Sequence, residues 1–297
     1  MMEIKLILCP VDFSEFSVRA YRYALSVAEH YRAKLVAQHI VELWRYPSAG
    51  FAASAQLYDE FCSALRENGA EELQKFVKNH TDGEIRPELI VQMGSAPDSI
   101  LSFAQAQKAD VIVMGTHGGR GYDRLTLGSV TNRVMRTAPC PVLAVCNAPR
   151  DSMLEGQEHR QVHRLTRILF CTDFSKKSET ALKYAISATE EYDAALTLLH
   201  VLEEAQSRAK TDDAIKTTKE QLERMIPPEI GKTLKIKTAV RIGKPYQQII
   251  QVALETQADM VAMGVRGRGA LDLAVFGSTT YRVMQLGPCC CNHKMSY

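Results

Sequence analysis

One stretch occurs twice in this chain. MGTHGGRGYDRLTLGSVTNRVM runs from Met114 to Met135, and MGVRGRGALDLAVFGSTTYRVM runs from Met263 to Met284. Each copy spells Gly, two residues, Gly, nine residues, Gly-Ser: Gly115, Gly118, Gly128 and Ser129 in the first, Gly264, Gly267, Gly277 and Ser278 in the second. Self-similarity of this kind restricts the chain to architectures built from two like units.

The sequence around the two copies repeats in the same order. KLILCPVDFS ends its apolar run at Asp12, and RILFCTDFS does so at Asp173. Ser14 and Ser175 then stand where helix N-caps belong, ahead of amphipathic stretches that carry Phe16, Ala20, Tyr23, Ala24 and Val27, and Ala181, Tyr184, Ala185 and Ala188. KLVAQHIVE and ALTLLHVLE follow with His39 and His200 in register, then a long polar helical segment in each unit. ELIVQMG and TAVRIG come next, another helical run, and finally ADVIVMG and ADMVAMG. Strand alternating with helix predicts two α/β domains with parallel sheets. VIVMG and LVAQH are almost wholly apolar, as strands covered on both faces must be. The aspartates lie 161 residues apart and the glycines 149, so the first unit carries 12 more residues, near Trp44 to Phe61. That insertion reads as a surface loop running into a helix. The polar stretch Ala148 to Arg164 reads as a linker, giving domains 1–147 and 165–297. His159 and His163 within it are spaced i,i+4 but lack a third metal ligand nearby, so they read as solvated linker residues.

Composition narrows the function. Of the 297 residues, 46% are hydrophobic and 24% charged, the balance of a globular protein with a sizeable core. A net charge of +2 supplies no global field to recruit nucleic acid or a membrane surface, so neither is expected as a partner. No apolar run approaches the ~20 residues of a membrane span, and MMEIKLILCPVD lacks the basic start and long apolar core of a signal peptide. Eight cysteines are too sparse for a disulfide scaffold, which points to a reducing cytoplasm. Cys9 and Cys171 fall in buried strands and read as core residues rather than nucleophiles.

The repeated glycines bracket a loop between the end of a strand and the start of a helix. Such a loop suits a phosphate chain: glycine lets a ligand approach the main chain, successive N–H groups form an anion-binding concavity, and the helix N-terminus adds donors and partial positive charge. Turn chemistry alone is the plainer account of the glycines, and N-capping the plainer account of Ser129 and Ser278. Asp12 and Asp173 close the same crevice if their strands neighbour the glycine-loop strands, because open α/β sheets bind ligands beyond the carboxyl ends of strands where strand order reverses. A carboxylate repels phosphate, so it would face the base or sugar. A turn or cap role is its alternative.

The paired CPVDFS and FCTDFS starts together with the Gly-x2-Gly-x9-Gly-Ser loop resemble the universal stress protein family in its tandem form, over nearly the whole chain. The resemblance implies two tandem doubly wound domains of the Rossmann-like, adenine nucleotide alpha hydrolase-like class, each with a five-stranded parallel sheet in order 3-2-1-4-5. It also implies the ATP-binding subgroup, with ATP, ADP or AMP as ligand and Mg2+ alongside. Carried over by position, Pro10, Asp12 and Ile40 serve the adenine and ribose in the first unit, and Met114, Gly115, Gly118, Gly128, Ser129, Val130 and Thr131 hold ribose and phosphates. In the second unit the matching residues are Asp173, Val201, Met263, Gly264, Gly267, Gly277, Ser278, Thr279 and Thr280. Cys171 replaces the proline and Thr279 replaces valine, and neither change obviously breaks the pocket.

The second unit departs at its end. Val142 to Val145 reads as a fifth, edge strand, but the matching GPCCCNHKMSY does not, so the second domain is expected to lack a normal fifth strand. In this family the fifth strand commonly pairs domains or subunits, which implies an intramolecular pseudo-dimer and a homodimer. Cys289, Cys290, Cys291 and His293 are poorly spaced for one tetrahedral metal and read as a frayed tail. No Gly-x4-Gly-Lys-Ser/Thr sequence is present, so this is not a P-loop ATPase. Arg120, Arg124, Arg266 and Arg268 do not align as one fixed catalytic residue. The expected function is nucleotide-dependent regulation through domain pairing and partner binding, with at most weak ATP hydrolysis. A slow ATPase or phosphotransferase, and a nucleotide-independent interaction scaffold, are the alternatives.

Overall fold

A computed structural model describes residues 3–45, 55–117, 127–146, 165–203, 211–264, 277–287 and 290–294. The chain divides into two compact units near residue 145. In the first, β1 (Leu6–Val11), β2 (Lys34–Val41), β3 (Glu88–Met93), β4 (Val111–Gly115) and β5 (Val142–Val145) form a parallel sheet. β1 pairs with both β2 and β4, β2 with β3, and β4 with β5, which is the order 3-2-1-4-5. Helices α1 (Glu15–Tyr31), α2 (Ala55–His80), α3 (Ala96–Ala106) and α4 (Ser129–Thr137) connect the strands.

The second unit repeats the plan with β6 (Arg167–Cys171), β7 (Ala195–Leu202), β8 (Lys235–Ile242), β9 (Met260–Gly264) and β10 (Cys290–Lys294). β6 pairs in parallel with β7 and β9, β7 with β8, and β9 with β10. Its helices are α5 (Lys176–Glu191), α6 (Thr211–Arg224), α7 (Pro228–Thr233), α8 (Pro245–Glu255) and α9 (Ser278–Leu286). The second domain lacks a normal fifth strand, as expected, but the segment that reads as a frayed tail is a strand over Cys290–Lys294. Cys290–Lys294 runs parallel to β9 from Cys290↔Met260 to Lys294↔Gly264, with CCNHK where β5 has VLAV. Backbone hydrogen bonds make a parallel strand whatever its side chains, which is why composition hid this one.

The helix starts follow the capping rule. Ser14 Oγ accepts from Ser17 N at 3.2 Å and Ser175 Oγ from Ser178 N at 3.3 Å. The buried stripe of α1 is Ser17, Ala20, Tyr21, Ala24, Leu25 and Ala28, turned slightly from the expected face, with Tyr21 rather than Tyr23 at its centre. The alanines at i, i+4 and i+8 keep that face thin and let α1 sit close on the sheet. Tyr21 is fully buried, and its hydroxyl is satisfied by Thr81 Oγ1 at 2.6 Å. At the amino ends of the strands, Asp110 Oδ2 accepts from Lys5 N and Leu6 N, and Asp259 Oδ2 accepts from Thr166 N and Arg167 N. Each aspartate therefore ties the first strand of its unit to the fourth. Of the insertion, Trp44 and Leu57 are exposed, and α2 begins at Ala55. Residues 46–54 and the linker with His159 and His163 lie outside the described residues.

Candidate functional site

β1 and β4 are neighbours, as are β6 and β9, so each aspartate corner lies beside a glycine-loop strand. The corners are built alike. Phe13 and Phe174 take left-handed backbone angles, φ 64° and 60°, which turn the chain sharply from strand to helix. Asp12 Oδ1 accepts from Ser14 N at 3.1 Å and Ser14 Oγ at 2.6 Å; Asp173 Oδ1 accepts from Ser175 N at 3.1 Å. The turn role weighed for these aspartates is therefore present, and it occupies one carboxylate oxygen in each. Phe13 packs on His39 with ring centroids 4.4 Å apart, and Phe174 on His200 at 4.5 Å. His39 Nδ1 donates to Val11 O and His200 Nδ1 to Thr172 O, both at 2.8 Å, which fixes the Nδ1–H form. These paired histidines, seen in the sequence only as a matching register, brace the corner.

The opposite wall is the end of β4 and the start of α4. Gly128 is the N-cap of α4 and Gly277 the N-cap of α9. Ser129 and Ser278 are the first helical residues, so they do not cap these helices, and both are exposed. Gly128 has φ −55° and ψ 138°, and Gly277 φ −57° and ψ 123°, angles open to any residue. Left-handed turn geometry accounts for neither glycine. Gly128 N donates to Thr116 O at 2.9 Å and holds the helix start against the strand end. Thr131 Oγ1 donates to Gly115 O at 2.8 Å and Thr280 Oγ1 to Gly264 O at 3.2 Å. Both threonines are buried, and their hydroxyl protons are spent on this tie.

Gly115 has a packing reason of its own. A Cβ there would stand 2.8 Å from Phe16 Cβ on α1. Glycine at this point lets the helix approach, a role separate from ligand access. Pro10 is half-buried at the carboxyl end of β1, Ile40 is buried near the end of β2, and Met114 is buried just before Gly115. Val201 is half-buried on β7 and Met263 buried on β9. Val130 and Thr279 follow the serines in the first turns of α4 and α9. Gly118, Gly267, Arg120, Arg124, Arg266 and Arg268 lie outside the described residues.

His117, quoted in the loop motif but given no role there, stands at the edge of this wall. Its Nδ1 is 2.9 Å from Thr116 Oγ1, and its ring centroid is 5.0 Å from that of Phe16. Its Nε2 is buried with no hydrogen-bond partner among the described residues. Burial disfavours the imidazolium and holds its pKa below the ordinary histidine value. Burial also pushes the Cys9 and Cys171 thiols up, so neither is a thiolate nucleophile near neutral pH.

A family-level comparison fits this duplicated α/β plan. The model of the universal stress protein family matches twice, over residues 3–145 and 164–291. The chain belongs to the universal stress protein family. A universal stress protein of Methanocaldococcus jannaschii is 35% identical over 141 residues, 48% of this chain and 81% of that protein. A putative universal stress protein of Staphylococcus aureus is 32% identical over 149 residues, 49% of this chain and 86% of its own length. Among solved structures, a universal stress protein from Archaeoglobus fulgidus superposes with a TM-score of 0.66 at 20% identity, covering 97% of this chain and 95% of that one. That last likeness is one of fold. The sequence relatives each match about one of the two domains, as a tandem universal stress protein requires. Among the described residues no helix is long and apolar enough to cross a membrane.

Proposed function

We propose that this universal stress protein binds an adenine nucleotide, ATP or its ADP and AMP forms, at the carboxyl ends of its sheets, and that binding regulates its engagement of partners. The observation that carries this reading is the helix start repeated in both domains: a glycine cap with ordinary backbone angles, followed by an exposed serine. A capping serine would stabilise the helix more than glycine does. A glycine there instead allows an anion close to the first-turn N–H groups, where the helix partial charge favours it. A triphosphate fits this donor set, with Ser129 or Ser278 adding a hydroxyl. Asp12 and Asp173 would face the base and sugar, beside Pro10, Ile40 and Met114 in one domain and Val201 and Met263 in the other. Mg2+ accompanying ATP would be held through phosphate oxygens and the serine hydroxyl, and would offset the phosphate charge.

On this reading the working units are 1–147 and 165–297 joined by the linker 148–164, an intramolecular pair in a cytoplasmic protein that can also form a homodimer. The test begins with freshly purified protein, denatured so that released nucleotide can be identified by chromatography and mass. Mg-ATP is then titrated into nucleotide-free protein. ATP or ADP should be recovered or bound. Gly128→Ala should weaken binding by about tenfold to a hundredfold, roughly 1–3 kcal/mol, while the change at the cap costs the fold about 1 kcal/mol. Failure to find or bind any adenine nucleotide would refute the reading.

A further inference from the structure

The two domains differ on the face where the last two helices of each unit meet. α3 packs on α4 in the first domain and α8 on α9 in the second. Residues 149 apart occupy matching places, as the repeated glycines do. In the first domain the seam between the helices is polar. Arg133 on α4 donates to Asp98 on α3 at 2.6 Å, and Gln105 and Thr137 stand exposed further along. In the second domain Gln247 takes the place of Asp98, Leu254 that of Gln105, and Leu286 that of Thr137. Leu254 is 57% exposed and Leu286 49%.

Tyr246, Ile250 and Leu254 follow one another at i, i+4 and i+8, so they share one flank of α8. Arg282 and Leu286, at i and i+4, share the flank of α9 that faces it, since the Arg282 guanidinium lies 4.6 Å over the Tyr246 ring. An apolar groove therefore runs along α8 and α9 with Arg282 at one end. The fold does not ask for these leucines, because the first domain builds the same helix pair with Gln105 and Thr137 in their places. A single exposed leucine is ordinary, but a stripe shared by two helices marks a contact. Arg282 also lacks the carboxylate that neutralises Arg133, because Gln247 stands where Asp98 would. What fits this groove brings apolar side chains and an acid.

The groove carries that combination at its other end. Leu254 is followed by Glu255, a half-exposed carboxylate that accepts from Arg241 Nη2 and Gln251 Nε2, both at 2.8 Å. A cation at one end and an anion at the other make the groove complementary to its own reverse. The first domain has no such groove at the matching place, so association through this face closes at two chains.

We propose that the α8–α9 groove is the contact of a two-fold homodimer, with α8 of the two copies antiparallel about an axis near Ile250. Leu254 of each copy then lies beside Tyr246 of the other, and Glu255 meets Arg282. The inference goes beyond the nucleotide reading and needs no nucleotide.

Sedimentation of the nucleotide-free full chain over a range of concentrations tests this. The wild type should dimerise. Leu254→Gln with Leu286→Thr, the residues the first domain carries, should raise the dimer dissociation constant by about tenfold or more and leave the circular dichroism of the chain unchanged. Arg282→Glu should weaken the dimer too, and Arg282→Glu combined with Glu255→Arg should recover it. A readout that needs no variant is amide exchange over residues 245–255, which should slow as concentration passes the dimer midpoint. A chain that stays monomeric, a dimer indifferent to the leucine and arginine substitutions, or α8 amides whose exchange ignores concentration would each overturn the proposal and leave nucleotide binding standing. A dimer broken instead by Leu89→Gln, on the edge strand β3, would move the contact to the sheet edge and overturn it as well.

Discussion

His117 carries a testable consequence of burial at the scale of a single residue. Its folded pKa is lowered because the imidazolium is desolvated. The unfolded chain therefore takes up a proton before the folded one does. The stability linked to this group is fully present above the unfolded pKa and is lost as pH falls through the lower, folded value. The first domain should lose denaturant resistance between about pH 7 and about pH 5, and His117→Gln should reduce that loss. Chemical denaturation at the two pH values checks it, and equal sensitivity in wild type and variant would sink the assignment. The second domain has Arg266 at the matching sequence position, a side chain that stays charged throughout, so this titration belongs to the first domain alone.

At the scale of elements, two contacts decide how strands and helices meet. Gly115→Ala places a methyl 2.8 Å from Phe16 Cβ, and α1 must shift to admit it. The expected cost is about 1–3 kcal/mol, the usual range for overpacking, read as a lower denaturation midpoint. Because the clash involves α1 and not the ligand, the loss should appear in nucleotide-free protein too. Asp110 joins β1 to β4 by accepting two main-chain N–H bonds, at 2.8 and 2.9 Å. Asp110→Ala leaves those donors without their acceptor and should cost about 1–3 kcal/mol. Asp259→Ala should cost a similar amount in the second domain, where the same atom type serves Thr166 and Arg167. A mutation at either position that left the thermal midpoint unchanged would show that solvent replaces the carboxylate without loss.

At the scale of the molecule, duplication yields two domains with one plan. A ligand that binds one folded domain raises that domain's stability by mass action, by about 2.7 kcal/mol at a hundredfold excess over Kd. Calorimetric melting with Mg-ATP should therefore raise the transition of each domain that binds the nucleotide above its nucleotide-free value. Transitions that stay in place at saturating Mg-ATP would count against nucleotide binding.

The sequence by itself determined the repeat, the alternation of strand and helix, the serine caps at Ser14 and Ser175, and the glycine and aspartate positions. The repeat is legible by comparing the sequence with itself, and the others are short-range patterns, written in residues a few places apart. Tertiary structure decided the rest. It set the buried face of α1 around Tyr21, since packing against the sheet selects among apolar stripes that periodicity leaves nearly equivalent. It gave CCNHK a place beside β9, since backbone pairing is indifferent to side-chain polarity. It assigned Gly115 to Phe16 and the hydroxyls of Thr131 and Thr280 to main-chain carbonyls. It also set what Pro10 and Cys171 face. One missing N–H is a local fact of sequence, but which ladder goes without that bond depends on which strand stands opposite, and only the folded sheet specifies that.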